Sequence, residues 1–348
     1  MKIKEKTKKI ISVLLTAVLA AVLFAGCGKR QDAPVQTEGS SDKFQIVTTV
    51  FPVYDWVREI VGQEDSHTDT EVTLLLKNGV DLHSYQPSAE DLTAMANADV
   101  FIYIGGHSDD WVADALKNEG NPNRVVINLF DVLDDSLKPL ARSEGMEHYH
   151  DHDEDMEDHD DHDDHDEDRD EYDEHIWLSL PRAKTAVLAM ADAMAKANPA
   201  LADTYRSNAK EYAAKLLSLH QNYGDAVKAA TVNTLVFADR FPFFYMADDY
   251  GLQYYAAFTG CSAECEASFE TVAVLAHKMD ELGIQKVMTI ENRTHGIPET
   301  VIENTKDKNQ HILTMNSLQS VTEKQIMDGM TYLDVMESNL DVLKTALQ

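Results

Sequence analysis

The stretch Phe44-Gln45-Ile46-Val47-Thr48-Thr49-Val50-Phe51-Pro52-Val53-Tyr54-Asp55-Trp56-Val57-Arg58-Glu59-Ile60-Val61-Gly62 changes its apolar period midway. Residues 44–50 are rich in β-branched side chains, the composition of a buried strand. From Val53 onward the apolar side chains Val53, Trp56, Val57 and Ile60 recur at helical spacing, and Gly62 supplies a stop. A strand running directly into an amphipathic helix is half of a βαβ unit, and such units build parallel sheets.

The same alternation continues outward. Strands are expected at 71–76, 100–104 and 124–128, with helices at 53–61, at 89–96 behind a Ser88 cap and at 109–117 behind a Ser108 cap. The second half repeats the arrangement, with strands at 234–238, 253–258, 286–290 and 311–314 and helices at 243–250, 269–282, 298–305 and 323–347. Residues 181–230 read as two helices broken at Asn198-Pro199. The second would run roughly 45 Å at 1.5 Å per residue, enough to cross from one half to the other. The expected fold is therefore α/β with two similar lobes, at 44–200 and 231–348. Each lobe is a four-stranded, mainly parallel sheet with helices on both faces, and a long helix at 200–230 joins them.

The first 27 residues are of another kind. Five lysines precede an apolar run at 10–25 that is short for a membrane span, and Leu23-Phe24-Ala25-Gly26-Cys27 closes it. This ending resembles a bacterial lipobox, with Phe24 where Leu is usual. The expectation is a signal peptide at 1–27, lipid on Cys27 and a flexible tether at 28–43, which places the chain outside the cytoplasm, anchored to the cell membrane. The mature part then keeps only Cys261 and Cys265, as a short bridge or as thiols, so no disulfide scaffold is expected.

A formal charge of −31 excludes nucleic acid as a partner and points to cations. More than half of that excess lies between Glu147 and Glu174, where eighteen carboxylates and six histidines accompany a single arginine. His148, His150, His152, His159, His162 and His165 recur at close spacing in this tract. Imidazole suits zinc, copper and nickel, and the surrounding carboxylates concentrate divalent cations. The tract at 147–174 reads as a solvated loop for rapid, weak metal collection, because closing it on an ion costs chain entropy.

Ligands of open parallel sheets bind beyond the carboxyl ends of the strands. His83 lies there after the second strand, and His175 follows the last connection of the first lobe. In the second lobe Asp239 and Arg240 end the first strand, Cys261, Glu264 and Cys265 follow the second, and Glu291 and His295 follow the third. Three imidazoles with an oxygen or sulfur ligand make an ordinary zinc site. His67, His107, His220, His277 and His311 read as isolated surface histidines.

Phe51-Pro52-Val53-Tyr54-Asp55, Asp81-Leu82-His83-Ser84-Tyr85-Gln86-Pro87-Ser88, His175-Ile176-Trp177-Leu178, Tyr250-Gly251-Leu252 and Tyr332-Leu333, with the His-rich insertion ahead of His175, resemble the zinc- and manganese-binding solute-binding proteins of bacterial ABC importers. The resemblance spans the chain beyond its tether. It implies one metal between two α/β lobes, with His83 and His175 as the first two ligands. The position of a third histidine holds Arg240, which cannot ligate, so Asp239, Cys261 or Glu264 is left to serve. His295 falls near the fourth position, and Asp173, Glu174 or Glu291 would orient a ligand imidazole.

The implied function is capture of Zn²⁺ by a monomer and delivery to a membrane permease, without enzymatic activity. Manganese is the alternative ion, but histidine donors favour zinc. A zinc hydrolase would need an open coordination position and a general base, and the sequence contains no His-Glu-x-x-His. A surface adhesin on the same fold would bind its partner independently of His83 and His175.

Overall fold

Eight strands form two sheets of the same strand order. The computed structural model describes residues 43–62, 69–140, 143–146, 172–260, 266–292 and 296–348. Lobe one contains β1 (Phe44–Thr48), β2 (Thr70–Leu74), β3 (Val100–Tyr103) and β4 (Val125–Asn128), ordered β2-β1-β3-β4. Lobe two contains β5 (Thr234–Phe241), β6 (Gln253–Thr259), β7 (Lys286–Ile290) and β8 (His311–Met315), ordered β6-β5-β7-β8. Every pairing is parallel.

The helices are α1 (Phe51–Val61), α2 (Ala89–Asn97), α3 (Trp111–Ala115), α4 (Leu129–Leu133), α5 (Leu180–Ala197), α6 (Ala202–Ala229), α7 (Phe244–Tyr250), α8 (Phe269–Leu282), α9 (Ile297–Asn304), α10 (Glu323–Met327) and α11 (Tyr332–Ala346). α1 starts two residues earlier than the apolar period suggests, because Pro52 sits in its first turn, where a missing N–H leaves no bond unmade. The single helix expected at 323–347 is two. Gly329 adopts φ 90°, and Thr331 restarts the chain as a cap, its side chain accepting from Asp334 N.

α6 packs on α1 and α5 and also on α7 and α11, so it lies against both lobes. One apolar core runs through Ile46, Trp56 and Phe101 of lobe one, Met190 of α5, Leu216 of α6, and Phe237, Tyr245 and Tyr332 of lobe two. A smaller cluster around Val236, Leu275 and Val287 fills the outer side of the second sheet. Polar ties reinforce the junction. Tyr332 N donates to Asp55 Oδ2 at 2.8 Å, Trp177 Nε1 to Ser317 O at 2.9 Å, and Arg182 pairs with Asp249 at 2.9 Å. Hinging the lobes apart would expose this shared apolar surface at a cost of about 25 cal/mol per Å². Among the described residues no helix is long and apolar enough to cross a membrane.

Candidate metal centre

The loop leaving β2 turns at Asn78-Gly79, both with positive φ, and Gly79 N donates to Val321 O of lobe two. It then enters a single 3₁₀ turn, Leu82–Ser84, capped by Asp81, whose Oδ1 accepts from His83 N at 3.0 Å. After β3, Asp109 Oδ2 accepts from Ile104 N and Gly105 N, folding the next loop back and presenting Ser108. Burial raises the Asp109 carboxyl to about 7. Gly106 is required here, since a Cβ would lie 2.6 Å from Glu174 Cγ.

His175 is fully buried, and Asp173 Oδ1 accepts from both its backbone N (2.8 Å) and its Nδ1 (2.9 Å). A carboxylate partner fixes Nδ1 as the protonated nitrogen, so the Nε2 lone pair faces the cleft. His83 is backed less directly. Its Nδ1 lies 2.8 Å from Ser108 Oγ, and Ser108 donates from backbone N and side chain to Glu174. Burial, and then the neighbouring His175 ring, depress the His83 imidazole to about 3, so it stays neutral at physiological pH. Burial pushes Glu174 up, partly offset by its bonds to Ser108.

The two Nε2 atoms are 3.3 Å apart. Two tetrahedral zinc ligands at about 2.0–2.1 Å are separated by about 3.3–3.4 Å, so the pair already stands at the spacing zinc requires. Gln319, from the segment beyond β8, completes a triangle. Its Nε2 is 2.6 Å from His175 Nε2 and 3.0 Å from His83 Nε2, donating to both lone pairs. Its Oε1 faces Ser317 Oγ at 3.0 Å, while that hydroxyl also donates to Glu291 Oε1 at 2.6 Å.

Lobe two presents a different chemistry. The register of β5 against β6 shifts between Phe237 and Arg240, and the two side chains there diverge. Asp239 turns into its own sheet, with Oδ2 accepting from Thr289 Oγ1 and Ile290 N and Oδ1 from Arg240 N. Arg240 crosses the cleft, Nη2 donating to Asp81 Oδ2 at 2.8 Å. Glu291 accepts from Ser317 N and Oγ, and burial raises its carboxyl. Arg240, Asp81, Glu291, Gln319, Asn78 and Asn292 border a cavity of about 420 Å³.

The structure thus brings His83 and His175 together and gives each a carboxylate behind it, Asp173 directly and Glu174 through Ser108. Asp239 does not join them, since its oxygens serve β5 and β7. His295, Cys261, Glu264, Cys265, the tract histidines 148, 150, 152, 159, 162 and 165, and Cys27 lie outside the described residues. Among the described residues no cluster of three His, Cys, Asp or Glu side chains forms a metal site. Gln319 was missed by sequence reasoning. The strand-end rule that selected His83 applies to it equally, but an amide is not among the residue types searched for.

Residues 46–346 match the family described as zinc-uptake complex component A, periplasmic. The zinc-binding protein AdcA of Streptococcus pyogenes is 29% identical over 333 residues, covering 95% of this chain and 61% of that protein. The chain therefore spans about three fifths of this relative. The high-affinity zinc uptake system protein ZnuA of Bacillus subtilis is 29% identical over 332 residues, covering 95% of this chain and 96% of that protein. The Zn(II)-bound ZnuA-like domain of Streptococcus pneumoniae AdcA superposes with a TM-score of 0.66 at 26% identity, covering 88% of this chain and 99% of that one. The match runs through both lobes and every element of the cleft, and the chain belongs to the zinc-uptake complex component A family.

Proposed function

We propose that this chain captures Zn²⁺ outside the cytoplasmic membrane and hands it to the permease of an ABC-type importer, as a binding component and not as an enzyme. The observation that carries this reading is the pair of nearly buried imidazoles held 3.3 Å apart and each backed by a carboxylate. Nitrogen donors favour zinc over manganese, and deprotonated imidazole needs no proton release before it binds.

Gln319 supplies a third donor by turning its amide over. The Ser317 hydroxyl has one proton, which Glu291 takes at the shorter distance, so the amide NH₂ is well accepted by Ser317 Oγ. The carbonyl oxygen then faces the imidazoles, where a cation satisfies all three. His295, Cys261 and Glu264 are the candidates for the remaining position. In the same reading Cys27 carries the lipid that keeps the chain at the membrane, and the tract at 147–174 collects metal.

X-ray absorption at the zinc edge, on chain loaded with one equivalent, tests the ligand set. A nitrogen and oxygen shell containing two imidazoles is expected, reduced in His175→Ala. A shell dominated by sulfur would contradict the reading.

A further inference from the structure

We propose that Gly260 is a positioning residue of the metal centre, its missing side chain leaving the space in which lobe two seats the His175 imidazole. The assignment rests on the zinc-capture reading above and adds to it a residue with no side-chain donor.

Gly260 follows the last residue of β6 and is buried. Its φ lies outside the left-handed region, so the backbone there does not call for glycine. Space does. A Cβ at this position would stand 2.8 Å from His175 Cε1 and 3.0 Å from His175 Nδ1. The same Cβ would meet Pro242 Cα at 3.0 Å, so the main chain leaving β5 bounds the gap as well. By contrast, Gly251 and Gly283 carry positive φ at the ends of α7 and α8, and a Cβ there would meet nothing within 4 Å. Those two shape turns, whereas Gly260 makes room.

The ring that fills this room is closely held. It is fully buried, its Nδ1 lies 2.9 Å from Asp173 Oδ1, and the Trp177 and His83 rings stand edge-on at centroid distances of 5.2 and 5.4 Å. The strand end is held too, because Thr259 pairs with Phe241 of β5. Of the two, a side chain turns about its χ angles more readily than a paired strand end moves. Carbon atoms reach ordinary contact at about 3.5 Å, so a methyl group at Gly260 would push the ring by several tenths of an ångström. Zinc sites hold their ligand distances to within about 0.2 Å. The push therefore spoils the 3.3 Å spacing of the two Nε2 atoms, together with the bond to Asp173. In this way lobe two sets the position of a ligand that belongs to lobe one.

Gly260→Ala in the full chain tests this, beside Gly283→Ala as the control for lost stability. Competition with a chelator of known affinity is expected to show tight zinc weakened by about 10–100-fold in Gly260→Ala, the range typical of residues that orient a ligand. X-ray absorption at the zinc edge should show the imidazole outer shell reduced in the same variant. Gly283→Ala, strained at φ 67°, should lower the melting midpoint of the metal-free chain and leave zinc affinity and shell as they were. A measurement on the unaltered chain covers the case in which Gly260→Ala does not fold. With labelled glycine, the α protons of Gly260 are expected to be displaced by the His175 ring current, and to shift again with one equivalent of zinc.

Unchanged zinc affinity in folded Gly260→Ala would overturn the proposal. So would a loss of affinity with both imidazoles still in the shell, because the substitution would then act elsewhere than on the ring. A Gly260 signal indifferent to zinc would overturn it too. No tight zinc in the unaltered chain would remove the capture reading, and this assignment with it.

Discussion

The two walls of the cleft hold ligands by opposite means. Lobe one offers His83 and His175, both nearly buried and both oriented from behind by an acidic residue, before any ion arrives. Lobe two offers an amide and a guanidinium, Gln319 and Arg240, neither of which carries negative charge to a cation. The difference places the pre-oriented metal donors on the first wall and leaves the second with an adjustable one. The imidazoles keep their ring positions when they bind, whereas Gln319 must turn its amide over.

If that division holds, changes in lobe one cost most. Removing the imidazole of His175 or of His83 should weaken the tight site by about a thousandfold, roughly 4 kcal/mol, measured by competition with a chelator of known affinity. Asp173→Asn keeps the shape but frees the His175 tautomer. A loss of about 10–100-fold is expected, the usual range for partners of this kind, and an unchanged affinity would show that the backing carboxylate is not used.

Changes in lobe two should be smaller and of either sign. Gln319→Glu places a carboxylate on the triangle and should tighten zinc by about tenfold, whereas Gln319→Ala should weaken it by a similar factor. A larger loss for Gln319→Ala than for His83→Ala would reverse the comparison.

A separate expected effect leaves the metal site aside and concerns stability alone. Asp109 is raised from 3.8 to about 7 by burial, so the folded chain binds a proton that the unfolded chain releases across that window. Its contribution therefore improves as pH falls from about 7 towards 4 and is least favourable above 7. Asp109→Asn keeps an acceptor for Ile104 N and Gly105 N without the charge. It should raise metal-free stability at pH 8 by up to about 4 kcal/mol, the gain vanishing near pH 4. Denaturant melts at pH 8, 6 and 4 read this directly, and a gain independent of pH would contradict it.

Much of this architecture was legible in the chain itself. The parallel strands are buried on both faces, so they read as short apolar runs, and all eight were placed within three residues of their observed ends. The quoted stretches mark junctions as well as ligands: Asp55 receives Tyr332 N, and Trp177 donates to Ser317 O. The break at Gly329 was missed because the apolar pattern continues through it, and a positive φ leaves no periodic signature. In the site, the rule of strand ends selected both imidazoles. It left the Arg240 partner unread, because Asp81 lies 159 residues away and only the fold joins them. Asp239 was mistaken for a cleft residue because the register shift in β5 turns it into the sheet.

The most direct test is a zinc titration of the full chain beside the His83→Ala, His175→Ala double variant, read as the number and affinity of binding classes. One tight zinc per chain is expected above a weaker class from the histidine tract, with only the tight class lost in the double variant. A tight class that survives the double substitution would place the capture site elsewhere and contradict the central claim.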